Sequence, residues 1–131
     1  MPTYQHILLA IFPDHRDNQL VYKALSLVED CSARFSLLTV INSEHYQPTE
    51  LLNQIKLAKQ RLASLGRELV VPSFDQHIRL GQVPEMIIKT ANELGVDSVI
   101  CGLSKSTNPV NFGLANSLMT TLSKDLILMH Y

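Results

Sequence analysis

Short apolar segments alternate with segments of helical periodicity along the 131 residues, and this alternation restricts the fold more than any other feature. The apolar segments cover residues 4–12, 35–41, 75–80, 96–101 and 125–131, and helices are predicted over residues 17–33, 48–65, 83–94 and 112–123. Regular alternation of strand and helix is typical of a parallel, doubly wound sheet with right-handed crossovers. The sequence therefore predicts one α/β domain over residues 1–131, with a five-stranded parallel sheet and four helices.

The strands are predicted to differ in burial. Residues 4–12 form a nearly continuous apolar run, which is typical of a strand that is covered on both faces. The third strand instead carries the polar residues Gln76 and Arg79, and this pattern favours a position at an edge of the sheet.

Proline and glycine residues mark the predicted ends of the second and third helices. Pro48 and Pro84 each suit the first turn of a helix, where a missing N–H costs nothing. Gly66 and Gly95 are predicted to end these helices, because glycine readily adopts the left-handed backbone conformation. The predicted buried stripes are Leu51, Ile55, Ala58, Leu62 and Leu65 on the second helix, and Val83, Ile87, Ala91 and Leu94 on the third.

Composition excludes several classes of function. The formal net charge is −1 and no run of basic residues occurs, so no nucleic-acid partner is expected. The apolar runs are far shorter than the roughly 20 residues of a membrane helix, and the first residues do not resemble a signal segment, so a cytoplasmic location is expected. Cys31 and Cys101 fit no metal spacing and are expected to be reduced core residues, with a disulfide or redox sensor as the alternative.

Four segments resemble the universal stress protein family when they are taken together in their order and spacing. They are residues 6–11 (HILLAI), 35–41 (FSLLTVI), 81–87 (GQVPEMI) and 94–102 (LGVDSVICG), so the resemblance covers nearly the whole chain. It implies the strand order 3-2-1-4-5. Ligands bind such sheets at the carboxyl ends of the strands where the order reverses, here between strands one and four.

The family contains members that bind ATP and members that do not, and the residues after the first and fourth strands distinguish them. Phe12 stands where ATP binders have an aspartate. Gly102 matches the first glycine of their phosphate motif, but Lys105 stands at the second and Ala115 at the third. Side chains at these positions occupy space that a phosphate group needs. The resemblance thus favours the subgroup named after the founding stress protein A, which lacks the ATP motif, and no cofactor is expected.

An alternative remains open at the same position. An ATP-binding member with an atypical loop, acting with Mg²⁺ and with slow ATP hydrolysis, would contact nucleotide through Phe12, Val40, Gly102, Ser104, Lys105 and Gly113. The hydroxyls of Ser104, Ser106 and Thr107 beside Lys105 fit three interpretations, namely a solvated loop, an anion site without a glycine cradle, and a phosphorylation site.

No catalytic constellation or metal-ligand spacing is found. The five histidines have no mutual spacing typical of a metal site, and no nucleophile elbow is present. A response-receiver or flavin-type domain is disfavoured, because Phe12 and Pro13 occupy the place of the acidic pair after strand one. The chain is therefore expected to be non-enzymatic.

The last apolar segment suggests a second copy of the chain as partner. Only Lys124 and Asp125 precede the run Leu126, Ile127, Leu128 and Met129. An apolar strand at the edge of a sheet presents unpaired backbone groups that another copy can pair with. The resemblance implies the same, because family members commonly dimerise through this strand. A regulatory homodimer of the stress response, with two antiparallel copies of strand five paired, is thus expected.

Overall fold

The computed structural model describes residues 5–11, 33–103 and 125–130. The strands are β1 (His6–Ala10), β2 (Arg34–Ile41), β3 (Gln76–Leu80), β4 (Ser98–Leu103) and β5 (Asp125–His130). The helices in the described part are α1 (Pro48–Leu69) and α2 (Val83–Leu94), and Ser43–His45 and Ser73–Asp75 form single 3₁₀ turns. The first and fourth predicted helices lie outside the described residues, apart from Ala33, which is not helical.

All pairs of neighbouring strands are parallel, and the order across the sheet is β3-β2-β1-β4-β5. This is the order that the resemblance implies. The chain adds β2 and β3 on one side of β1 and then returns to add β4 and β5 on the other side. The strand order therefore reverses between β1 and β4, where Ala10 pairs with Cys101, and β3 lies at an edge as predicted.

Strand β1 is buried on both faces, as its apolar run predicts. Ile7, Leu8 and Leu9 are fully buried. Because side chains alternate along a strand, Ile7 and Leu9 pack with α1 through Leu62 and Leu65 on one face. On the other face, Leu8 and Ala10 pack with α2 through Ile87 and Ala91. The two described helices thus cover opposite faces of the sheet.

The helix ends agree with the sequence at three positions and disagree at one. Pro48 and Pro84 lie in first turns, and Gly95 ends α2 in the left-handed conformation at φ 67°. The prediction that Gly66 ends its helix was wrong, because α1 continues to Leu69. Val70 takes the left-handed conformation instead, at φ 56°, and its N–H donates to the carbonyl of Gly66.

Gly66 serves close packing rather than a turn. It is buried on α1 against Gln76, whose Nε2 donates to the carbonyl oxygen of Val71 at 3.0 Å. A Cβ on Gly66 would meet the Gln76 amide and would lie 2.8 Å from the same carbonyl oxygen. The absence of a side chain at this position therefore lets α1 approach β3.

The predicted stripe of α1 is buried only in its second half. Ala58, Leu62 and Leu65 are buried as predicted, whereas Leu51 and Ile55 are only half-buried. On α2, Ile87 and Ala91 are buried, and Val83 and Leu94 pack at the margin of the core. In the described part of the chain, neither α1 nor α2 is long and apolar enough to cross a membrane.

We expect the substitution Val70→Gly to raise the free energy of unfolding by about 1 kcal/mol. A β-branched residue is strained at positive φ, whereas glycine is not, and Val70 is 87% exposed, so little burial is lost. Urea unfolding measures the change. Val70→Ala, which keeps an L-residue at the strained position, is the matched control and should recover much less stability. Equal stability of the glycine variant and the original chain would contradict this explanation.

Candidate functional site

The described part of the switch point is apolar. Ile11 follows β1, Val40 and Ile41 end β2, and Cys101 lies in β4 next to Ala10. Ile11, Val40, Ile41 and Cys101 are all at most 5% exposed. These residues form a buried hydrophobic region, and none of them carries a charge that could hold a phosphate.

The structure locates two of the six predicted nucleotide contacts. Val40 ends β2 and packs into the core on the α2 face, and Gly102 lies in β4 in register with Met129 of β5. Strands β2 and β4 flank β1, so Val40 and Gly102 lie at the same end of the sheet on either side of the central strand. The other predicted contacts lie outside the described residues, and they are Phe12, Ser104, Lys105 and Gly113.

Cys101, at the switch point, is not a nucleophile. Burial raises the pKa of its thiol to about 12, so the reactive thiolate does not form near neutral pH. Within residues 5–11 and 33–101, no group of three or more His, Cys, Asp or Glu side chains comes together as a metal site.

The predicted dimer strand lies at an edge of the sheet. Strand β5 pairs with β4 in parallel, and in the described part of the chain no other strand pairs with it. Its backbone carries the predicted interface residues Leu126, Ile127, Leu128 and Met129.

A polar cluster that was not predicted lies at the opposite, amino-terminal end of the sheet. Asp75, which is 3% exposed, accepts hydrogen bonds from Arg34 Nε at 3.0 Å and Arg34 Nη2 at 2.5 Å. Ser36 Oγ also donates to Asp75 Oδ1, at 3.2 Å. Strand β2 and the 3₁₀ turn before β3 are thereby joined through one buried carboxylate.

His6 extends this cluster to the central strand. Its Nε2 lies 2.7 Å from Ser36 Oγ. Since the single hydroxyl proton of Ser36 is donated to Asp75, His6 must be the donor toward Ser36, which assigns the proton of the neutral ring to Nε2. Ser36 is fully buried and its proton is engaged by Asp75, so this histidine–serine–aspartate chain joins strands and does not form a nucleophile.

Asp97 binds the backbone at the beginning of β1, on the side of β1 that faces β4. Its Oδ2 accepts the backbone N–H groups of Gln5 at 2.7 Å and His6 at 2.8 Å. Its own N–H donates to the carbonyl oxygen of His6 at 2.8 Å. These bonds fix the beginning of β1 against the segment that leads into β4.

The environment shifts the pKa values of Asp75 and His6 in this cluster and of His77 in the neighbouring strand β3. The hydrogen bond from Arg34 holds the pKa of Asp75 below its usual value, against the opposing effect of burial. Burial lowers the pKa of His6, and the charge of Arg34 lowers it further. Burial likewise lowers the pKa of His77, together with the charge of Arg79. The folded chain therefore favours the anionic carboxylate and neutral imidazoles here.

The family model described as "Universal stress protein family" matches residues 3–119. A universal stress protein of Staphylococcus haemolyticus is 29% identical over 117 residues, which are 79% of this chain and 69% of that one. Universal stress protein C of Salmonella typhi is 27% identical over 113 residues, which are 76% of this chain and 82% of that one.

Solved structures share the fold at low identity. The universal stress protein UspA from Lactobacillus plantarum superposes with a TM-score of 0.77 at 17% identity, and 98% of this chain and 99% of that chain are covered. Two further neighbours were solved with nucleotides. One is a universal stress protein in complex with cAMP, with a TM-score of 0.58, 18% identity and 98% of both chains covered. The other, from Archaeoglobus fulgidus in complex with dAMP, has a TM-score of 0.63, 12% identity and 97% and 98% coverage.

We expect the free energy of unfolding to fall as the pH is lowered from about 7.5 to about 5.5. The pKa values of His6 and His77 lie below the ordinary 6.5 in the folded chain, so the unfolded chain binds more protons in this range. The stabilisation from Asp75, whose pKa is held below 3.8, is lost only at lower pH.

Urea unfolding at the two pH values measures this loss. The double variant His6→Gln with His77→Gln should show a smaller difference between the two pH values, whatever its absolute stability. His45→Gln, in the exposed 3₁₀ turn outside the cluster, is the matched control. An unchanged pH dependence in the double variant would contradict the assignment.

Proposed function

Because the chain belongs to the universal stress protein family, we propose that it is a non-enzymatic, cytoplasmic regulatory dimer of the stress response that does not bind ATP. The absence of ATP binding is inferred from the altered phosphate motif. Lys105 and Ala115 stand in place of glycines, and Phe12 stands in place of the aspartate. A phosphate cradle needs backbone N–H groups that approach the ligand closely, and side chains at these positions oppose that approach.

The described residues at the carboxyl-terminal end of the sheet are consistent with this proposal. Val40 and Cys101 are buried in the core on the α2 face rather than exposed toward a ligand. The residues that end β1 and β2 contribute hydrophobic side chains, and the thiol of Cys101 stays protonated. A protein that does not bind ATP would act by binding other proteins through its surface.

The second candidate is an ATP-binding protein with an atypical loop. The cAMP and dAMP complexes of two structural neighbours favour it, because those chains share this fold. In this alternative the Lys105 ammonium and the Ser104 hydroxyl would contact the phosphates together with Gly102 and Gly113, while Phe12 and Val40 would line the base. Mg²⁺ would accompany the nucleotide.

We expect no adenine nucleotide to co-purify with the protein and no heat of binding on titration with Mg-ATP. Acid release followed by chromatography quantifies bound nucleotide, and calorimetry of the stripped protein measures the affinity. A stoichiometry near one nucleotide per chain, or an affinity in the micromolar range, would refute the proposal. In that case Lys105→Ala should weaken binding at least about tenfold, because it removes a charge-assisted contact to phosphate.

The dimer is supported by the position of β5. This strand ends the sheet beside β4, and its sequence from Leu126 to Met129 is apolar. An apolar edge strand with unpaired backbone groups pairs readily with a second copy. A two-fold axis would set the two copies of β5 antiparallel and extend the sheet across both chains.

We expect the mass of a dimer in light scattering at micromolar concentration. Leu128→Lys should shift the mass toward that of the monomer, because a buried ammonium has no partner in such an interface. Leu57→Lys, at an exposed position of α1, is the matched control and should leave the mass unchanged. Circular dichroism checks that both variants fold. A monomeric mass of the original chain would refute the dimer without bearing on nucleotide binding.

A further inference from the structure

The segment of residues 70–74, which we call the apolar loop, presents hydrophobic side chains to solvent. Val70 is 87% exposed and Phe74 is 71% exposed, and Pro72 between them is also exposed. Val71, within the segment, and Asp75, directly after it, are 6% and 3% exposed and hold the segment to the core. The loop is thus fixed at two points and displays three apolar residues between and beside them.

Hydrogen bonds hold the backbone of the apolar loop in this conformation. The N–H of Val71 donates to the carbonyl of Gly66 at 2.8 Å, and that of Asp75 donates to the carbonyl of Pro72 at 2.9 Å. The carbonyl of Val71 accepts from Gln76 Nε2 at 3.0 Å. A surface that is already ordered loses little conformational entropy when it binds a partner.

Arg34 and Phe74 form a preorganised pair on this surface. The guanidinium carbon of Arg34 lies 5.9 Å from the centre of the Phe74 ring, within the range of a cation–π contact. Asp75 engages Nε and Nη2 of Arg34, and the Arg34 side chain remains 54% exposed. Its remaining N–H groups can therefore bind a carboxylate above the ring. Aromatic residues and arginine are enriched among the residues that dominate binding energies.

The left-handed conformation of Val70 ends α1, but the fold does not need a β-branched side chain at this position. A β-branched residue at φ 56° is unfavourable, and its side chain is almost fully exposed, so it contributes little to the core. Strained positions of this kind cluster at sites of function. A partner that covers the side chain of Val70 would offset this strain.

The apolar loop leads directly into the free edge of β3. The N–H of Gly81 donates to Ile41 of β2 at 3.0 Å. Because alternate residues of a strand face opposite neighbours, the N–H and C=O groups of Ile78 and Leu80 and the C=O group of Gln76 face away from β2. The N–H of Gln76 donates instead to the carbonyl of Ser73. In the described part of the chain, β2 is the strand that pairs with β3. The edge can therefore accept an additional strand.

We propose that the apolar loop and the free edge of β3 together bind an extended segment of a partner protein that carries apolar side chains beside a carboxylate. The partner backbone pairs with Ile78 and Leu80 and with the carbonyl group of Gln76, its apolar side chain covers Phe74 and Val70, and its carboxylate binds Arg34. Backbone pairing supplies affinity in such strand addition, and side-chain contacts supply selectivity. This surface is separate from β5 and from the switch point, so it does not depend on either proposal above.

A phage-displayed library of random peptides of about twelve residues, selected on the full chain, tests the proposal. The expected peptides alternate apolar and polar residues and contain Asp or Glu. A selected peptide, made synthetically with a fluorescent label, is then titrated by anisotropy. We expect Phe74→Ser to weaken binding at least about tenfold, and methylation of alternate peptide nitrogens to abolish it because backbone pairing is blocked.

Val70→Gly separates binding from folding. It should stabilise the chain and yet weaken peptide binding at least about threefold, a combination that a purely structural role of Val70 does not produce. Leu57→Ser, which alters a 55% exposed leucine on α1, is the matched control and should leave binding unchanged.

Three outcomes would overturn the proposal. The first is that no peptide is enriched on the original chain above the Phe74→Ser variant. The second is that the selected peptides bind both chains equally. The third is self-association of the chain that Phe74→Ser abolishes, which would assign this surface to a second copy instead.

Discussion

The pairing of β1 with strands on both of its sides is the constraint on which the rest of the structure depends. Ile7 faces Phe35 of β2 and Ser98 of β4, and the strand is buried above and below by the two core clusters. A parallel strand in this position has no exposed face, so every residue must be apolar or must satisfy its polar groups within the protein. His6 meets that requirement at the amino end through Ser36, while Asp97 binds the backbone there.

The two ends of the sheet differ in polarity. The amino-terminal end holds one buried carboxylate and hydrogen bonds that join β1, β2 and the turn before β3. The described carboxyl-terminal end is hydrophobic at Ile11, Val40 and Cys101. Ligands of doubly wound sheets bind at the carboxyl end, so the polar cluster at the other end serves the integrity of the fold. It also fixes Arg34 beside Phe74 and thereby orders the surface that we propose for a partner.

Local pattern predicts the strands well because the apolar runs are themselves the core, as in β1 and β2. The positions of Pro48, Pro84 and Gly95 are also local signals, because each depends on its own backbone angle. Gly66 shows the limit of such signals, since its role depends on Gln76, a residue of another element that no local pattern connects to it. The same holds for Arg34 and Asp75, which are separated by 41 positions. Arg34 and Ser36, two residues apart on one strand, share a face, and this spacing was the one available sign of a polar cluster.

The bonds of Asp97 to Gln5 and His6 span 92 and 91 positions of the chain, and this has a consequence for synthesis on the ribosome. Strand β1 therefore emerges well before β4, one of its two neighbours, which follows it by about 91 positions. Until residue 103 has left the ribosome, Ile7, Leu8 and Leu9 lack one lateral neighbour and the central ladder is incomplete. A long-range parallel pair of this kind forms late and leaves apolar strands accessible to aggregation in the meantime. A chain with this strand order thus passes through an incompletely paired state during synthesis, and its yield depends on how well the nascent chain is protected in that state.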